Sequence, residues 1–156
     1  MLEGARHLQN IHPLVIHFPI GLLMGAALFY FAAWVFKKDD LAKTGFWVLL
    51  LGALSLAVAV GTGLYAEQGV MVHLSVREKI LLPHKNFMIV TAVLCFILTL
   101  WALIQRPFPK KGRILFLFLL LAMVGTMTIG ADFGGRLVYD YNAGGNACPQ
   151  PIRFVR

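Results

Sequence analysis

Charged residues are scarce in this chain of 156 residues, at 13%, whereas soluble domains carry about 25%. Mean hydropathy is +0.76. Four apolar runs contain no Lys, Arg, Asp or Glu, and each is long enough to cross a bilayer as a helix, which takes roughly 17–25 residues. A water-soluble domain is therefore excluded. The sequence predicts an all-α fold, an integral membrane four-helix bundle over residues 1–142, followed by an extramembrane tail over 143–156. The four predicted spans are residues 14–36, 45–65, 87–104 and 114–131.

Cysteine is also scarce, with only Cys95 in the third span and Cys148 in the tail. Their separation gives no reason to predict a disulfide. The sequence contains no Cys-x-x-Cys-His, which excludes covalently attached c-type haem. The first apolar run is too long for a signal peptide and is followed by Lys37 and Lys38, so we expect it to remain as a membrane span.

Acidic residues number 7 against 14 Lys and Arg, giving a net charge of +7. Membrane proteins place such charges at helix ends, near anionic lipid, so we expect the bilayer and not nucleic acid as the partner. The two short connections, "KKDDLAKT" and "QRPFPKKGR", have the highest density of Lys and Arg. Short basic loops face the cytoplasm. We therefore predict a multi-pass membrane protein with both termini on the non-cytoplasmic side.

This topology places all five histidines on the outer side of the membrane. The stretch "HPLVIHFPIG" begins the first span, and Pro19 within it removes a backbone hydrogen bond and crowds the carbonyl of Val15. The resulting kink would aim His17 into the bundle. Gly21 and Gly25 follow on the same helical face, where small residues would either let helices approach closely or leave a flat slot for a planar ligand. The five histidines are His7, His12, His17, His73 and His84.

Two histidines on facing helices could bind one iron from opposite sides. His84 opens the third span, so we predict His17 and His84 as axial ligands of a haem b in an apolar pocket. One haem b is expected, and a second stays open through His73. At the end of the last span, Arg136 could form an i,i+4 ion pair with Asp132 or contact a haem propionate.

Two other interpretations of the histidines stay open. In the first, the histidines serve solely as hydrogen-bond donors to backbone carbonyls, such as the one that loses its helical donor because of Pro19. Alternatively, His12, His17 and His84 could converge on Zn²⁺ or Cu²⁺, which imidazole also suits, with His73 in place of His12. The connection over residues 66–86 fits either an amphipathic helix or a strand, and no internal repeat is evident.

Four stretches, "HPLVIHFPIG", "GTGLYAEQG", "HKNF" and "GGRLVY", resemble the bacterial membrane family catalogued as domain of unknown function 2231. The resemblance covers roughly residues 11–142. It implies a four-helix cytochrome-b-like membrane domain, sometimes found beside cytochrome c modules. The positions that match the family pattern are His12, His17, His84, Gly134, Gly135, Leu137, Val138 and Tyr139.

The leading hypothesis is an electron-transfer protein with haem b near the periplasmic side. It would be a subunit of a respiratory complex, or it would relay electrons between quinol and a periplasmic cytochrome. We expect an electron-transfer subunit and not a stand-alone enzyme. The alternatives are a haem-free structural or assembly subunit and a histidine-based metal-binding membrane protein. A transporter is disfavoured because the predicted spans contain no charge and no repeat.

Overall fold

The computed structural model describes residues 11–69 and 72–143, and within them the fold is helical with no strand. Four helices of 25 to 31 residues are long and apolar enough to cross a membrane, which confirms the predicted fold class. At about 1.5 Å per residue, each exceeds the ~30 Å hydrocarbon core of a bilayer. His7, Cys148 and nearly all of the tail lie outside the described residues. The helices are α1 (His12–Phe36), α2 (Asp39–Glu67), α3 (Leu74–Ile104) and α4 (Arg113–Tyr139).

The four helices form a closed ring in which each packs against two neighbours. The largest interfaces join α1 to α2 and α3 to α4, and smaller ones join α2 to α3 and α1 to α4. Within the described residues, α1 does not contact α3, and α2 does not contact α4. The bundle thus consists of two helical hairpins, with α1 and α3 at diagonally opposite corners.

The helix α1 is interrupted near its start, as Pro19 predicts. Its first turn spans His12–Val15 and the rest spans His17–Phe36, with Ile16 between them. Proline has no N–H to donate to the carbonyl four residues back, so the hydrogen-bond ladder is broken there. Pro19 itself is buried. The break is local, because Ile16 keeps helical dihedral angles and its carbonyl still accepts from the N–H of Ile20 at 3.3 Å.

The first part of α3 is helical, which decides between helix and strand for part of the connection over residues 66–86. Residues Leu74–Val76 are α-helical, Arg77–Leu81 form a π-helical turn, and Leu82–Ile104 continue as α-helix. Ile80 and Leu81 are buried against Leu137 of α4. This part of the connection therefore belongs to the third helix and covers one end of the bundle.

Many buried positions of the first hairpin have a buried counterpart in the second, at a constant separation along the chain, although the sequence gives no evident repeat. The residue types differ at most of these positions, so the correspondence is one of packing. The two hairpins present matching faces to the core, as in a parallel repeat whose approximate two-fold axis runs along the bundle. In α1 and α3 the buried pairs are Pro19 and Thr91, Leu23 and Cys95, Ala26 and Leu98, and Tyr30 and Ala102. In α2 and α4 they are Gly45 and Phe116, Phe46 and Leu117, Leu49 and Leu120, Gly52 and Met123, Leu56 and Met127, and Ala59 and Gly130.

Aromatic side chains fill the core at the end where α1 is joined to α2 and α3 to α4. The Tyr30 ring lies 5.1 Å from that of Phe108 and 5.0 Å from that of Phe116. Its hydroxyl donates to the carbonyl of Pro107 at 3.1 Å, which holds the connection between α3 and α4 against the bundle. Interior space therefore lies toward the opposite end, where the chain enters α1 and leaves α4.

Candidate ligand cavity

A cavity of about 520 Å³ lies between the four helices at the end where α1 and α3 begin. This volume falls within the roughly 300–1,000 Å³ of small-molecule and cofactor sites. Apolar side chains from all four helices line most of it, including Ile16, Leu56, Met88 and Met127. The polar side chains in its lining are His12, His84, Glu67 and Lys85.

His12 enters the cavity from the first turn of α1 and is held by α2. Its Nδ1 lies 3.1 Å from Oγ1 of Thr62, and that hydroxyl donates its hydrogen to the carbonyl of Ala59 at 3.0 Å. Thr62 therefore accepts from Nδ1–H, and in the neutral ring the lone pair resides on Nε2. A Cβ at Gly63 would lie 2.9 Å from Cε1 of His12, so only glycine lets the ring pack this closely.

His84 enters from the first turn of the Leu82–Ile104 segment of α3 and is held by α4 in a similar way. Its Nδ1 lies 2.7 Å from the carbonyl oxygen of Gly130. A carbonyl can only accept, so Nδ1 donates and the lone pair of the neutral ring again resides on Nε2. A Cβ at Gly134 would lie 2.9 Å from Cε1 of His84.

The two histidines occupy equivalent positions in the two hairpins. They belong to diagonally opposite helices, line the same cavity, and each packs against an equivalent glycine, Gly63 or Gly134. Other equivalent pairs in the lining are Ile16 and Met88, Ile20 and Ala92, Leu56 and Met127, and Val60 and Ala131. The cavity thus takes one imidazole from each hairpin, but it extends further where α2 meets α3, because Leu64, Val93 and Phe96 line it and their equivalents in the other hairpin do not.

His17 and the glycines below it lie elsewhere. His17 is exposed on the outside of the bundle and does not line the cavity. The buried stripe of α1 runs through Ile16, Pro19 and Leu23, and His12 extends that stripe by one turn. One residue further along, His17 is rotated by about 100° from Ile16, and the break in α1 does not turn it inward. The structure therefore does not bring His17 to His84, and His12 takes the place beside His84.

Gly21 and Gly25 do not form a slot at the cavity. A Cβ on Gly21 would meet nothing within 4 Å, and one on Gly25 would lie 3.6 Å from Val48. Neither glycine lines the cavity. They share the face of His17, which is exposed at His17 and Gly21 and packs toward α2 at Gly25. The glycines that approach the histidines are Gly63 and Gly134, at the ends of α2 and α4.

Arg136 lies outside the cavity lining and half exposed. Its Nε is 3.7 Å from Oδ2 of Asp140, so its carboxylate partner is Asp140 and not Asp132. Its guanidinium also lies 5.9 Å from the centre of the Phe133 ring. The expected contact of Arg136 with a haem propionate therefore finds no support in this placement.

No three groups from His, Cys, Asp and Glu come together as a metal site within residues 11–69 and 72–143. His12, His17 and His84 thus do not converge. His73 lies at the start of α3, where its Nδ1 is 2.9 Å from Oγ of Ser75. Its ring caps a helix end and does not line the cavity.

Sequence reasoning missed a charged group at the cavity. Glu67, at the end of α2, lies 2.7 Å from Nζ of Lys85 and 3.5 Å from Nη2 of Arg77. The side chain of Glu67 is only 19% exposed. The sequence did contain a signal for this ion pair. A carboxylate follows one apolar run and a lysine directly follows His84, and both lie at the predicted outer surface.

A family model described as "Predicted membrane protein (DUF2231)" matches residues 8–147. No curated protein and no solved structure matches the chain. The matched range includes all four helices and every cavity residue described above.

Proposed function

The chain belongs to the DUF2231 family of predicted membrane proteins, and from that premise we propose that it is a membrane-embedded b-type haem protein that transfers electrons. His12 and His84 would be the two axial ligands. Haem b supplies a one-electron couple between ferrous and ferric iron, and the protein supplies ligands, an apolar pocket and orientation.

The observation that carries this proposal is the pair of histidines in one apolar cavity. Each ring donates from Nδ1 to the neighbouring helix, to Thr62 Oγ1 at 3.1 Å and to the Gly130 carbonyl at 2.7 Å. Metal-bound histidines in proteins almost always donate their second N–H in this manner, which fixes the tautomer and the ring orientation. Two neutral imidazoles with Nε2 lone pairs on diagonal helices form a donor set that fits haem iron.

The surrounding residues provide the rest of what such a site requires. The lining is apolar, which keeps water from the ligands, and Gly63 and Gly134 let the rings lie against the helix backbones. The core at the other end is filled by the aromatic cluster of Tyr30, Phe108 and Phe116. The site is therefore closed toward the connections at that end, while the exposed lining residues Leu64, Val93 and Phe96 leave it partly open at the side where α2 meets α3.

A single haem near one surface serves a relay on that side and not transfer across the membrane. Neither connection at the opposite end, residues 37–38 and 105–112, contains a histidine for a second haem. We place the haem end at the periplasmic side of a bacterial inner membrane, because the basic connections favour the cytoplasm. Its partner would be a respiratory membrane complex, a quinol or a periplasmic cytochrome.

The competing function is a haem-free structural or assembly subunit. The hydrogen bonds of His12 and His84 favour this function, because they join α1 to α2 and α3 to α4. On that hypothesis the imidazoles only join neighbouring helices, and the cavity is occupied by lipid chains.

Ligand substitution tests the proposal. We expect His12→Ala and His84→Ala each to abolish the low-spin haem spectrum of the purified protein, whereas His17→Ala and His73→Ala keep it. The two controls remove a histidine without touching the cavity. A normal spectrum in His12→Ala or His84→Ala would overturn the ligand assignment, and loss in His17→Ala alone would restore the ligand that the sequence indicates.

A further inference from the structure

The cavity takes one histidine from each hairpin, but its charged groups have no charged equivalents in the other hairpin. Lys85 follows His84, and its equivalent after His12 is Pro13. Glu67 ends α2, and its equivalent in α4 is Val138. All four residues line the cavity. Charge is thus confined to the side of the cavity where α2 meets α3, and the equivalent side between α4 and α1 is apolar.

The charged side carries two cations around one carboxylate. Oε2 of Glu67 lies 2.7 Å from Nζ of Lys85, and Oε1 lies 3.5 Å from Nη2 of Arg77. The ammonium group has three donors and the guanidinium five. Glu67 therefore uses only part of their capacity, and the three side chains together keep one positive charge.

From this asymmetry we propose that Lys85 binds an acidic group on one edge of the molecule in the cavity. Arg77 is half exposed and lies outside the lining, where it contacts Glu67. Given the proposed function, on which this inference rests, the acidic group is a haem propionate. A haem b has its two carboxylates along one edge and apolar substituents along the others. The charged side of the cavity fits the first edge, and the apolar side between α4 and α1 fits the opposite one.

Glu67 has a defined role in this arrangement. It partly neutralises Lys85 and Arg77 when no ligand carboxylate is present, and it competes with that carboxylate when the ligand binds. Removing the Glu67 charge should strengthen binding, and removing the Lys85 charge should weaken it. An ion pair that only joined α2 to α3 would give the same loss with either substitution.

The test is a titration of the full-length apoprotein in detergent with haem b and with its dimethyl ester, which lacks both carboxylates. We expect Lys85→Gln to weaken haem b binding about tenfold, the scale of one charge-assisted hydrogen bond. We expect Glu67→Gln to strengthen it about threefold. Neither substitution should change the affinity for the dimethyl ester. Lys43→Gln removes an exposed ion pair with Asp40 at the far end of the bundle and is the matched control.

Two results would overturn this inference while leaving the haem proposal intact. One is equal affinity of the parent protein for haem b and its ester. The other is weaker haem b binding in both Glu67→Gln and Lys85→Gln. If neither porphyrin binds the parent protein, the proposed function itself fails. A long-chain fatty acid that binds in place of haem, and loses affinity in Lys85→Gln, would assign the acidic group to lipid and would also overturn the haem proposal.

Discussion

The glycines beside the histidines make the candidate site possible at the scale of single residues. A Cβ at Gly134 would lie 2.9 Å from Cε1 and 3.1 Å from Nδ1 of His84. Real Cβ atoms essentially never come within 3.0 Å of a non-bonded heavy atom of another residue. A methyl group at this position must therefore displace the imidazole. Because the helix backbone is fixed by its own hydrogen bonds, the ring would move and not the helix.

Gly134→Ala should therefore weaken haem binding about tenfold or more while the bundle stays folded, since outer interactions that orient a metal ligand carry about 10–100-fold in affinity. Gly125→Ala is the matched control in the same helix, because a Cβ there meets nothing within 4 Å. Haem titration of both variants, with circular dichroism for helix content, checks this. Equal affinities in the two variants would contradict the assigned contact.

Thr62 gives a second test at this scale. Thr62→Val keeps the shape of the side chain but removes the acceptor for His12 Nδ1. We expect weaker haem binding, on the order of tenfold, and a shifted midpoint potential in a redox titration. Thr128→Val is the control, because the exposed Thr128 hydroxyl bonds only to the carbonyl of Val124 within its own helix. An unchanged potential in Thr62→Val would argue against His12 as a ligand.

The choice between His12 and His17 shows what the sequence could not supply. Both histidines lie in the same decapeptide, and both precede or adjoin a proline that disturbs the helix. Sequence patterns indicate which residues share a face, and His17, Gly21 and Gly25 do share one. Which face points inward depends on the packing of α1 against α2 and α4. The apolar character of every face of a membrane helix removes the amphipathic signal that would have decided it.

At the scale of elements, length and charge were sufficient to predict four helices. The helices extend beyond the charge-free runs because their ends tolerate polar residues. For example, α2 begins at Asp39, six residues before its predicted span, and the Asp39 and Asp40 carboxylates favour the positive N-terminus of the helix. The repeat between hairpins could not be predicted, because equivalent buried positions hold different residues, such as Leu23 and Cys95.

Packing within the first hairpin depends on Gly52. A Cβ there would lie 2.7 Å from Cδ2 and 3.1 Å from Cγ of Leu23, which is fully buried. Gly52→Ala should lower the free energy of unfolding by about 1–3 kcal/mol, the usual cost of overpacking. Denaturant unfolding in detergent measures it. Gly21→Ala is the control, and it should leave both stability and haem binding unchanged. Reduced haem binding in Gly21→Ala would show that Gly21 belongs to the haem site.

For the whole molecule, the two ends of the bundle differ in the residues that they carry. One end has the cavity, both histidines and the ion pairs of Glu67, and the other has the buried aromatic cluster and the basic connections. We expect the cavity end to face outward in the bacterial inner membrane. In this orientation the proposed haem ligands would face periplasmic or quinol-side partners, and the dense Lys and Arg would lie in the cytoplasm.

Cysteine accessibility tests this orientation. In a background with Cys95→Ala and Cys148→Ala, Ser75→Cys should react with a membrane-impermeant thiol reagent in intact spheroplasts. Lys38→Cys should react only after the membrane is permeabilised. Ser75 and Lys38 lie at opposite ends of the bundle, so each serves as the control for the other. The reverse pattern would place the cavity on the cytoplasmic side.

The central claim is that His12 and His84 hold haem b in the cavity, and the spectrum of the parent protein tests it most directly. The protein would be purified in detergent from cells well supplied with haem, and its absorbance measured in the oxidised and the dithionite-reduced states, with iron analysis on the same sample. The account predicts a b-type α band that sharpens on reduction and about one iron per chain. A colourless protein without iron would contradict it and leave the two histidines as links between neighbouring helices.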